Sequence, residues 1–136
     1  MKVCMGKLSQ SLEDYLKAII LLGGTTGQSV RPSDIARHMN VSKTSVGKAL
    51  TALRKYDFVI QPYYGEVTLT EAGYAYGTSI LKRYDYLEAF LEKAIGLEQG
   101  TAEKEACLME HGISDESFEK WADYIERLGI VERVGG

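Results

Sequence analysis

Cys107, Glu110 and His111 bring a thiol, a carboxyl and an imidazole together within little more than one helical turn. Spacings of three and four residues stack side chains on one helix face. The set suits a divalent transition metal, with a soft thiolate, a borderline imidazole and a hard carboxylate. The competing reading is a solvated helix face on which Cys107 is an ordinary small core residue. The helix that must carry these groups is predicted from about Thr101 to His111 and closed by Gly112. Cys4 and Cys107 are the two cysteines, too few for a disulfide scaffold, which fits a reducing cytoplasm. Cys4 has no companion ligands nearby.

The 136 residues, 45% of them hydrophobic, suit one compact domain or two small ones sharing a core. The apolar run Ala18–Leu22 is broken at once by Gly23 and Gly24, well short of the ~20 residues of a membrane span. Met1–Gln10 has two lysines without an apolar run behind them, so no secretory signal is expected. The net charge of -3 hides an asymmetry: residues 1–70 carry nine Lys/Arg against five Asp/Glu, and residues 71–136 carry seven against fourteen. A basic front and an acidic back fit a nucleic-acid-binding unit joined to one that gathers cations, although chance variation could also produce them.

Helical periodicity begins after Ser11, the expected N-cap, with Leu12, Tyr15, Leu16, Ile19, Ile20 and Leu22 on one face and Gly23-Gly24 as the stop. Pro32 opens a short helix carrying Ile35, Ala36 and Met39, and Asn40-Val41 makes a turn. Ser42 caps a third helix with Val46, Ala49, Leu50 and Leu53 inward. Phe58–Gln61 and Glu66–Leu69 read as a hairpin. Thr70 caps a long helix from Glu71 to Gly96, and Ser114 caps a final one ending at Gly129.

Helix, short helix, tight turn, helix and hairpin is the order of a winged helix-turn-helix. The Ser42 helix would enter a major groove by its N-terminal end. Ser42, Lys43, Thr44, Ser45 and Lys48 are small or basic on its outward face, suited to phosphates and base edges. Arg31, Arg54 and Lys55 could meet flanking phosphates, and Tyr63 and Tyr64 sit at the wing tip. The bland reading of any one lysine is a solvated face; capping, composition and order together favour double-stranded DNA. The expected fold is therefore mostly α, with a winged helix-turn-helix over residues 1–70 and a helical metal-binding and dimerisation domain over residues 71–136.

From Leu12 to Gly129 the chain resembles the diphtheria toxin repressor family, including its manganese transport regulator branch. Glu105-Ala106-Cys107-Leu108-Met109-Glu110-His111-Gly112-Ile113-Ser114-Asp115-Glu116 carries most of the resemblance, with Glu13-Asp14-Tyr15-Leu16, Ser33-Asp34-Ile35-Ala36 and Leu69-Thr70-Glu71-Ala72-Gly73. The resemblance implies a site of Asp14, Cys107, Glu110 and His111 holding Mn(II) or Fe(II). Asp14 is the manganese-branch choice and Cys107 the iron-branch choice, so the set is a hybrid; zinc would compete in vitro. Tyr84 stands where a histidine ligand is common, and Lys17 where the manganese branch carries a carboxylate. These departures favour one ion per subunit, with Glu88 and Glu103 as possible accessory ligands. Asp14 could instead simply pair with Lys17. The chain ends near Gly136, so the additional C-terminal domain of some relatives is not expected.

The Trp121, Tyr124 and Leu128 stripe could support a homodimer, whose two-fold axis would match a palindromic operator, or could equally be intramolecular core. The alternative function is a winged-helix regulator sensing a non-metal ligand or partner. A metal-dependent enzyme fits poorly, because no nucleophile-base-acid set, phosphate loop or paired-histidine motif is present and His38 and His111 are the two histidines. A scaffold that dimerises without binding DNA is the remaining reading.

Overall fold

A computed structural model describes residues 8–62 and 65–131. Tyr63, Tyr64 and Cys4 lie outside the described residues. The described residues divide into two compact units, Leu8–Ser79 and Ile80 onward, the division falling inside one helix.

In the first unit, α1 (Gln10–Leu21) is capped by Ser9, whose hydroxyl accepts from the Leu12 N–H at 3.2 Å. The cap is thus Ser9, not Ser11. Leu8, buried just before it, anchors the chain so that the helix starts earlier than periodicity suggested. α2 (Pro32–Met39) has Pro at its start and closes on Asn40 in the left-handed region at φ 57°, a conformation asparagine tolerates. α3 (Lys43–Lys55) is capped by Ser42, which accepts from the Ser45 N–H at 3.0 Å.

The hairpin strands β1 (Val59–Ile60) and β2 (Thr68–Leu69) pair antiparallel, Val59 with Leu69 and Ile60 with Thr68. They are shorter than the expected runs. Val67 leaves β1 and pairs with Val30 instead, through two 2.9 Å main-chain hydrogen bonds. This ties the loop before α2 to the wing. Leu16, Ile19, Ile35, Val46, Leu53, Val67 and Leu69 form the buried interior, which fixes where the N-terminal end of α3 points.

α4 (Glu71–Ala89) begins where the Thr70 hydroxyl accepts from the Gly73 N–H at 2.9 Å. Gly73 is required there because a Cβ would run into the Phe58 carbonyl. The helix does not continue as α to Gly96. Phe90–Ile95 is a π-helical turn, and Gly96 ends it at φ 91°. α5 (Gln99–Gly112) starts earlier than expected, and α6 (Asp115–Leu128) is capped by Ser114, accepting from the Ser117 N–H at 3.0 Å, and ends at left-handed Gly129. The second unit is held by Tyr86, Leu87, Leu91, Ala102, Ala106, Phe118, Ala122 and Ile125.

Candidate nucleic-acid face and candidate metal ligands

Helical phase sorts α3. Val46, Ala49, Leu50 and Leu53 are buried, while Ser42, Lys43, Thr44, Ser45, Gly47 and Lys48 are exposed together at its N-terminal end. A Cβ on Gly47 would meet nothing within 4 Å, so the fold does not need this glycine. Arg54 and Lys55 are exposed at the other end, and Arg54 donates to the Gln61 side chain at 2.7 Å and the Thr51 hydroxyl at 3.3 Å. Arg31 pairs with Asp34 at 3.2 Å, and Arg37 also pairs with Asp34, at 3.1 Å. These pairs are open to water, so they cost little to exchange for phosphate contacts.

Asp14 pairs with Lys17 at 3.2 Å, one turn apart on α1. The Lys17 side chain is 11% exposed and that of Asp14 38%, so the ammonium is the more desolvated partner. Both line an open cleft of about 330 Å³ with Ala18, Leu21, His38 and Met39. One residue earlier, buried Glu13 accepts from the Tyr76 hydroxyl at 3.0 Å, a link that sequence reading did not identify.

On α5, Glu110 is buried at 2% exposure, and Cys107 and His111 are half-buried. All three already interact with neighbouring groups. Among the described residues, no three His, Cys, Asp or Glu side chains converge closely enough to hold an ion as they stand. The end of α5 is organised by Arg83, which sequence reading also missed. Its guanidinium pairs with Asp115 at 2.7 Å and donates to the main-chain carbonyls of Glu110, at 2.7 Å, and Ile113. It stacks over the Phe118 ring at 5.4 Å. A cation at a helix C-terminus satisfies carbonyls that lack helical partners and complements the dipole. The signal was available: Arg83 occupies an inward position of the Ile80–Leu87 stripe.

Tyr84, Glu88, Glu103 and Cys107 share one neighbourhood. Burial, followed by the charges of Glu103, Glu88, Cys107 and Asp85, pushes the Tyr84 phenol up to about 12. Burial, a side-chain hydrogen bond with Glu92 and the charges of Glu92 and Glu103 raise Glu88, against Lys93.

Residues 7–67 match the iron dependent repressor, N-terminal DNA binding domain. Residues 70–130 match the iron dependent repressor, metal binding and dimerisation domain. The chain is 33% identical over 122 residues to an uncharacterized HTH-type transcriptional regulator of Methanocaldococcus jannaschii, covering 89% of this chain and 97% of that one. It is also 33% identical over 116 residues to the HTH-type transcriptional regulator MntR of Shouchella clausii, covering 85% and 80%.

The chain belongs to the iron-dependent repressor family. This is a family of metal-dependent transcriptional regulators, as the resemblance implied. Among solved structures, IdeR of T. acidophilum is similar with a TM-score of 0.66 and 27% identity, over 95% of this chain and 57% of that one. This chain thus spans little more than half the length of that relative.

The donor types fit the metal of an iron-dependent repressor. Cys107, Glu110 and His111 carry a thiol, a carboxyl and an imidazole on one α5 face, in a unit matched to a metal-binding domain. In the same unit, Trp121 is half-buried and packs edge-on against Phe90, with ring centroids 5.7 Å apart, whereas Tyr124 and Leu128 are 51% and 41% exposed. The stripe is thus part core and part open surface. No helix among the described residues is long and apolar enough to cross a membrane.

Proposed function

We propose that this chain is a cytoplasmic transcriptional repressor of metal-ion homeostasis whose grip on a palindromic operator is set by one Mn(II) or Fe(II) ion per subunit. The observation that carries this is the placement of Cys107, Glu110 and His111 on one face of α5. The family resemblance adds Asp14 as a further ligand, with Glu88 and Glu103 as accessory acids. When bound, the ion supplies a positive charge to groups that otherwise repel one another or need other partners.

The chain's own residues do the rest. Ser42, Lys43, Thr44, Ser45 and Lys48 address the major groove, Arg31, Arg54 and Lys55 take flanking phosphates, and Tyr63 and Tyr64 are further DNA-binding residues. Tyr124 and Leu128, with the outer edge of Trp121, join two copies so that two recognition helices match one operator. A coupling of roughly 1–3 kcal/mol between metal and operator is enough for such a switch, and operator binding tightens metal binding by the same factor.

The test is His111→Ala in the full chain, read by gel-shift affinity for operator with and without added metal. Loss of the metal response with an unchanged circular dichroism spectrum is expected. Unchanged affinity and response would refute the proposal.

A further inference from the structure

We infer that Gln61 is a positioning residue for duplex DNA: with Thr51 it holds the Arg54 guanidinium ready for a phosphate without cancelling its charge. The inference rests on the DNA-binding reading above and adds to it a residue that carries no charge of its own. Arg54 Nη1 donates to Gln61 Oε1 at 2.7 Å, and Nη2 donates to the Thr51 hydroxyl at 3.3 Å. The Thr51 hydroxyl in turn donates to the Gly47 carbonyl at 3.0 Å. Gly47, Thr51 and Arg54 follow one another at four and three residues, on one exposed stripe of α3 that runs back to its N-terminal end. Gln61 is half-buried and directly follows β1. Arg54 is thus gripped from two elements, the α3 helix and the root of the wing.

The unit Leu8–Ser79 has three arginines, Arg31, Arg37 and Arg54, and they are not alike. Arg31 and Arg37 both pair with the Asp34 carboxylate, which offsets their charge. The acceptors of Arg54 among the described residues are an amide and a hydroxyl, both neutral. A guanidinium has five N–H groups, so more remain for an incoming phosphate oxygen. An exposed arginine ordinarily loses rotamer freedom when it meets such a partner. One already held has less to lose, so affinity rises without a new contact to DNA. Gln61 does this through Arg54 alone, whereas a glutamine that merely supports the hairpin would act whether or not Arg54 were present.

The experiment measures binding of the full chain to a fluorescein-labelled duplex of random sequence, because phosphate contacts do not depend on sequence. Anisotropy is read across a salt series, with Mn(II) and with a chelator. Gln61→Met should weaken binding about fivefold, the scale of immobilising one rotamer-rich side chain, and leave the slope of log affinity against log salt unchanged. Arg54→Met should weaken binding further and reduce that slope by about 1. In the Arg54→Met background, Gln61→Met should have no additional effect. Should Gln61→Met fail to fold, Thr51→Val removes the other acceptor and must likewise weaken binding only where Arg54 is present. Unchanged affinity of these variants, or equal weakening with and without Arg54, overturns the inference while leaving the DNA-binding reading intact. If the wild-type chain binds the duplex under neither condition, the proposed function falls and this inference with it.

Discussion

Arg83 and Asp115 meet at 2.7 Å, and the same guanidinium also donates to the Glu110 and Ile113 carbonyls. One buried cation therefore closes the end of α5 next to His111 and pins the start of α6. Its fork is what fits three acceptors, and a lysine ammonium does not reproduce that planar geometry. Arg83→Lys should lower stability by about 2 kcal/mol, the scale of a lost hydrogen bond to a charged group, measured by urea denaturation. Asp115→Asn should cost less than about 1 kcal/mol, because exposed ion pairs contribute little and the Asp115 side chain is 75% exposed. Equal costs for the two variants would show that the carbonyl contacts are not what holds Arg83.

Gly73→Ala tests the junction between wing and α4. Its new methyl would meet the Phe58 carbonyl, main chain that cannot step aside like a flexible side chain. Destabilisation of more than about 2 kcal/mol is expected, in the range of overpacking. Tyr76→Phe removes only the donor to Glu13 and should cost about 1 kcal/mol. A tolerated Gly73→Ala would mean that this junction shifts freely.

Much of this architecture is legible in the residues because each device is local. Ser42, Thr70 and Ser114 cap helices through hydroxyls that reach three residues ahead, a geometry that needs no tertiary context. The α3 stripe separates buried Val46, Ala49, Leu50 and Leu53 from the exposed basic end for the same reason. The misses are long-range. Ser9 displaces Ser11 because buried Leu8 sets the entry of the chain, and nothing local distinguishes two serines so placed. Val67 pairs with Val30 across distant sequence, and the π-helical turn at Phe90 interrupts a pattern that reads as continuous α-helix. Donor types at Cys107, Glu110 and His111 are plain in the sequence. That Asp14 holds Lys17 in the structure was readable only as one of two partners for the same carboxylate.

Gly47 gives a prediction in which stability and binding part company. It is exposed on α3 with open space where a Cβ would go, so Gly47→Ala should raise stability by about 1 kcal/mol through helix propensity. If the glycine serves close approach to DNA, the same change weakens operator binding. Lys43→Ala and Lys48→Ala, at exposed positions, should each weaken binding and reduce the slope of log affinity against log salt by about 1. Filter binding across a salt series checks all three. A Gly47→Ala protein with tighter or unchanged operator affinity would remove the packing argument for that face.

Glu88 supplies the pH dependence. Burial, the hydrogen bond with Glu92 and neighbouring acidic charges raise it above the ordinary carboxylate range in the folded protein, while in the unfolded chain it titrates near the usual value of about 4.3. Between those two values the folded state holds more protons than the unfolded one, so stability falls as pH rises through the window. Below the unfolded value both states are protonated and Glu88 costs nothing; above the raised value the cost is fully present. Glu88→Gln stays neutral at every pH and should therefore stabilise the protein at pH 7 but not at pH 4. Urea midpoints measured at the two pH values, with a chelator present to remove bound metal, decide the matter. An equal gain at both would trace the effect to packing of the amide and not to the charge that Glu88, Glu92 and Glu103 crowd together.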